Sequence, residues 1–114
     1  MTRGGLRPAT GPARHQVPAI DEAALAAARH ADRALASAQA MGQARWATFL
    51  APLPDVLRDG GLAELRGVAL RARAAFGPKD SIRDALAPDI TEPLLDSIDR
   101  LLKALARRDT GSES

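Results

Sequence analysis

From Ile20 onward, apolar positions return at three- and four-residue steps, the period of a helix buried along one side. The pattern predicts a first long helix starting at "IDEAAL", with Asp21 as N-cap and Glu22 complementing the positive helix end. It continues through "AALAAARHADRALASAQAMGQARWATFL", where alanine is the strongest helix former. Leu25, Ala28, Leu35, Ala38, Gly42, Trp46, Phe49 and Leu53 form the expected apolar stripe. The stripe is thin and mostly small, and it ends in an aromatic anchor. Pro52 and Pro54 stop the helix, because proline lacks an N–H and clashes with the preceding turn.

A short second helix is expected from Pro54 to Asp59, with Gly60 as the left-handed residue that closes it. The next segment, "GLAELRGVALRARAAF", sets Leu62, Leu65, Ala69, Ala72 and Phe76 on one face and turns Arg66, Arg71 and Arg73 away. Gly77 and Pro78 end it. "KDSIRDALAP" gives a short fourth helix, with Ser81 as its cap. The pattern is clearest in "DITEPLLDSIDRLLKALARR", with Thr91 as N-cap and Pro93 in the first turn. There Leu94, Ile98, Leu101 and Leu105 make a stripe that Leu95 and Leu102 widen. Asp96–Arg100 and Asp99–Lys103 are i,i+4 pairs in the favourable order. No stretch alternates as a strand would. The fold class is therefore all-α: a small bundle of about five helices, two long and three short.

The chain ends differ in character. Residues 1–18, "MTRGGLRPATGPARHQVP", carry Arg3, Arg7 and Arg14 but no acid, and are rich in glycine and proline. Such a segment buries too little apolar surface to offset the entropy of ordering it, so a disordered basic tail is expected. Residues 110–114 read the same way, which leaves 19–109 as the helical domain. This partition changes the meaning of the charge. The chain carries sixteen basic and fourteen acidic residues; without Arg3, Arg7 and Arg14, thirteen cations face fourteen carboxylates. The positive excess belongs to the tail and not to the domain, which disfavours nucleic acid as a partner.

Composition removes several chemistries. Without cysteine there is no disulfide, thiolate nucleophile or thiolate metal ligand. The histidines, His15 and His30, are isolated, and His30 and Asp32 do not face each other on a helix. Gly60-Gly61 lacks the preceding strand and following Lys-Ser/Thr of a phosphate loop, and Asp59 would repel phosphate. Ser37, Ser81 and Ser97 have no positioned base, and the "KDS" around Ser81 lacks the acidic surroundings of an acyl-carrier attachment site. No catalytic, cofactor-binding or metal site is expected, and no small-molecule substrate is evident. No run is long and apolar enough for a membrane span, and the N-terminus has no secretory signal, so a cytoplasmic location is the expectation. Arginine far outnumbers lysine and alanine is abundant, as in GC-rich bacterial genomes.

Leu53, Val56, Leu57, Gly60, Gly61, Leu62 and Leu65 set an apolar helix against a glycine pair and a second apolar helix. With "DITEPLLDSIDRLLKAL" downstream, this resembles an uncharacterised family of short bacterial helical proteins associated with formate dehydrogenases and related redox complexes. The resemblance implies an accessory protein and transfers no functional residue; Pro52 and Pro54 depart from the family pattern.

Few large apolar residues serve these helices, and small helical chains often gain stability by associating. The expected function is a non-enzymatic interaction or accessory module, self-associating or docking on a larger partner. Trp46, Phe49, Leu53, Leu94, Leu95, Ile98, Leu101, Leu102 and Leu105 are its candidate core or interface residues. The alternative is a nucleic-acid-associated regulator that works through the arginines of the tail.

Overall fold

A computed structural model describes residues 14–78 and 80–111. Arg3, Arg7 and residues 112–114 of the expected tails lie outside them. Six α-helices make up the described chain, and it contains no strand: α1 (Pro18–Ala40), α2 (Ala44–Leu50), α3 (Leu53–Asp59), α4 (Leu62–Ala74), α5 (Ile82–Ala85) and α6 (Pro88–Gly111). The all-α class is as the sequence predicts.

The long first helix breaks in two. Gly42 takes a left-handed φ of 67°. Its N–H reaches the Gln39 carbonyl at 3.2 Å, and the Gln43 N–H reaches back to Ala38 at 2.8 Å. This pair of hydrogen bonds past the last turn is the Schellman closure, and it favours a residue without a Cβ at the left-handed position. Gly42 is thus a corner that turns α2 away from the axis of α1, and not part of a stripe. Gly60, expected to be left-handed, is extended at φ −69° and ψ 153°. Glycine is required there for another reason: a Cβ would lie 2.6 Å from the Val56 carbonyl oxygen. Gly61 opens α4, its N–H donating to Glu64 Oε1 at 2.8 Å.

α1 starts earlier than expected, with Pro18 in its first turn and Asp21 inside it in place of the N-cap. The residues before it are folded as well. Arg14–Gln16 form a 3-10 turn, and the Arg14 guanidinium is nine-tenths buried against Asp21. Its Nε donates to Asp21 Oδ1 at 2.8 Å and its Nη1 to the Gly60 carbonyl at 3.0 Å. The ordered domain therefore begins before residue 19, because one arginine ties this segment to α1 and to the α3–α4 corner. α6 also starts early, at Pro88, with Ile90 and Thr91 N–H groups bonding the Ala87 carbonyl. Thr91 is consequently a buried residue of the second turn and not the cap. Pro93 sits inside the helix, where it has no N–H to offer the preceding turn.

The core joins the first helix to the last. α1 packs most extensively on α6 and also carries α2 and α3, while α4 closes against α6. The buried face of α1 consists of Ile20, Ala24, Ala27, Ala28, Ala31, Ala34 and Ala38. This face is rotated from the expected one: Ala28 and Ala38 are in both, but Leu25 is 37% exposed and Leu35 only half-buried. Alanines let a neighbouring backbone come close, and larger side chains such as Leu94, Ile98, Leu101 and Leu105 of α6 supply the volume.

Candidate functional site

The residues singled out as core or interface divide cleanly. Trp46, Leu53, Leu94, Ile98, Leu101 and Leu105 are buried within the single chain. Phe49, Leu95 and Leu102 are partly buried and pack against that core. Trp46 and Phe49 meet edge to face with ring centroids 5.6 Å apart, and the Arg45 guanidinium covers the Trp46 ring at 4.7 Å. The C-terminal leucine stripe is thus internal. The exposed large apolar side chains among the described residues are Leu25, Met41 and Leu70.

The charged side chains mostly hold helices together. Arg58 of α3 bonds Asp32 of α1 at 2.8 Å. Arg83 grips Glu92 through two hydrogen bonds of 2.8 and 2.9 Å, which holds the Glu92 carboxyl below the usual carboxylate range. Asp99 does not pair with Lys103 as the sequence suggested. It accepts from Arg73 Nε of α4 at 2.9 Å instead, a tertiary partner taking precedence over the helical neighbour. The expected Asp96–Arg100 pair is present at 3.3 Å.

One concave surface stands apart from these contacts. It is a trough of about 410 Å³ between α1 and α6. Small side chains form its floor: Ala23 and Ala26 from α1, Ser97 and Ala104 from α6. On α1 these residues flank the buried alanine face and are not part of it. Glu22 and His30 stand on the α1 side. Asp96, Arg100, Lys103 and Arg107 line the α6 side, at the spacing that brings helical residues onto one face. Among the described residues, Lys103 and Arg107 have no carboxylate partner.

His30 belongs to this trough and not to an open solvated face. Its pKa lies below the ordinary 6.5, first because burial disfavours the imidazolium, then because Arg33 and Arg29 repel it; Asp96 opposes both. The Ser97 hydroxyl is spent on the Leu94 carbonyl at 2.8 Å. Ser81 Oγ accepts from the Arg83 N–H at 3.1 Å, the work of a cap. Among the described residues no three His, Cys, Asp or Glu side chains converge on a metal position. No described helix is long and apolar enough to cross a membrane.

Sequence reasoning missed the trough because it selected large apolar residues, whereas this surface is made of alanines and long charged chains. A pattern that could have found it is Arg100, Lys103 and Arg107 at helical spacing on the one helix whose other side is leucine-rich. The chain matches no family model, no curated protein and no solved structure.

Proposed function

We propose that this protein is a non-enzymatic helical interaction module that docks on a larger protein partner through the trough between α1 and α6. The observation that carries the reading is the trough itself: a concave strip with a small-residue floor, lined by charges of which Lys103 and Arg107 have no carboxylate partner among the described residues. Docking is favoured over self-association, because the leucine stripe expected as a shared surface is the core of one chain. The resemblance to accessory proteins of redox complexes names one class of partner, and the reading includes a cytoplasmic location in a bacterium. The nucleic-acid alternative loses ground with Arg14, whose guanidinium is committed to Asp21 and Gly60.

Site-specific photocrosslinking tests this. A photoreactive phenylalanine analogue at Ala26, in the trough, is expected to capture one discrete protein in the source cell. The same group at exposed Ala63 on α4 is expected to capture none. Equal capture from both positions, or none from either, would count against the module.

A further inference from the structure

We infer that the occupant of the α1–α6 trough is an acidic segment of the partner protein, lying along the helices with its carboxylates on the α6 side. The inference rests on the interaction reading above and adds the chemistry of the partner.

Shape argues for a chain segment. The α1 lining runs from Ala19 to His30 and the α6 lining from Pro93 to Arg107. At the α-helical rise these spans are about 17 and about 21 Å. A strip of that length holding about 410 Å³ is long and shallow. It suits side chains laid out along a backbone better than a compact metabolite, which would be enclosed on most sides. The small-residue floor lets such a backbone come close, and the hydroxyl of its one polar member, Ser97, already donates to the Leu94 carbonyl.

Charge argues for acidity. Arg100, Lys103 and Arg107 rise from one side of the strip. Arg100 already shares its charge with Asp96 at 3.3 Å, whereas Lys103 and Arg107 have no carboxylate partner among the described residues. A carboxylate-bearing segment supplies the missing counter-charges where surrounding alkyl stems and helix walls reduce access of water. Glu22 and Asp96 decide against a polyanion: a continuous phosphate backbone would run past both carboxylates, whereas a peptide can set neutral residues opposite them. Glu22, on the α1 side, orients the segment with its acids toward α6, and Asp96 confines those acids to the Lys103–Arg107 end of that side.

Fluorescence anisotropy with the full chain tests this, using a short labelled peptide that alternates alanine and glutamate. The probes for comparison are the same peptide with lysine for glutamate and a labelled single-stranded oligonucleotide. The glutamate peptide should bind, the lysine peptide should not, and the oligonucleotide should bind more weakly. Reversing Lys103→Glu together with Arg107→Glu should weaken the glutamate peptide by about tenfold or more, the scale of two lost charge contacts at a partly screened surface. Arg45→Glu with Arg71→Glu makes the same change in net charge outside the trough and should leave binding within about twofold. Circular dichroism of both variants checks that they fold. Equal loss in both variants, tighter binding of the oligonucleotide, or indifference to the sign of the peptide would each overturn the inference. Crosslinks from Ala26 that map to a neutral or basic partner segment would overturn it while leaving the interaction module standing.

Discussion

Arg14 is the residue that most changes what the chain's beginning means. A guanidinium that is nine-tenths buried is costly unless its N–H groups are matched, and two of them are, by Asp21 and the Gly60 carbonyl. Its Nη2 is buried without a hydrogen-bond partner, which offsets part of the gain. Arg14→Ala should lower unfolding free energy by about 2 kcal/mol, read from urea midpoints, because it strands a carbonyl as well as removing a charge pair. Arg14→Lys should recover only part of that, since an ammonium lacks the fork that serves both acceptors. The sequence does not announce the contact: although Asp21 is near, the Gly60 carbonyl lies 46 residues away, and glycine and proline around Arg14 carry the opposite message. His30 gives a second residue-scale expectation. Its folded pKa is depressed, so the unfolded chain takes up the proton more readily. Its contribution to stability is complete above the unfolded value near 6.5 and is lost as the pH falls through the lower folded value. An imidazole NMR titration should show a midpoint below 6.5. His30→Gln should flatten the stability profile over that mildly acidic window, and an unchanged profile would contradict the assignment.

At the scale of elements, α6 was legible and α1 only half so. In α6, leucine and isoleucine contrast sharply with aspartate and arginine, and contrast is what fixes the phase of a helical stripe. In α1, alanine occupies nearly half the positions and recurs on every side, so the few leucines dominate the pattern although Leu25 faces outward and Leu35 lies at the margin. The corner at Gly42 was hidden for a related reason: a lone glycine among alanines reads as one more small residue until its left-handed φ is known. The packing predicts which positions accept volume. Ala31 is wholly buried in the α1 face, so Ala31→Leu should overpack it and cost about 1–3 kcal/mol. Leu25→Gln, on the outer side, should stay within about 0.5 kcal/mol. Denaturant midpoints at unchanged slope read both, and a tolerated Ala31→Leu would mean that α1 is not held closely.

For the whole molecule, the all-α class could be read in the sequence, whereas the trough shows there only as the basic row of Arg100, Lys103 and Arg107, because neither wall defines it alone. It exists where the first helix lies beside the last, and its floor is drawn from both. The same pairing governs how the chain is made. Synthesis delivers α1 first and α6 last, yet α1 finds its most extensive packing on α6. Until Leu94, Ile98, Leu101 and Leu105 leave the ribosome, the alanine face has only α2 and α3 to lean on, and α4 lacks its main neighbour. Distant contacts of this kind form only after the intervening chain is available. The nascent domain therefore has no completed core until α6 emerges, and is until then within reach of chaperones and proteases. Truncation before α6 removes the most extensive packing of α1 and should leave a product open to degradation.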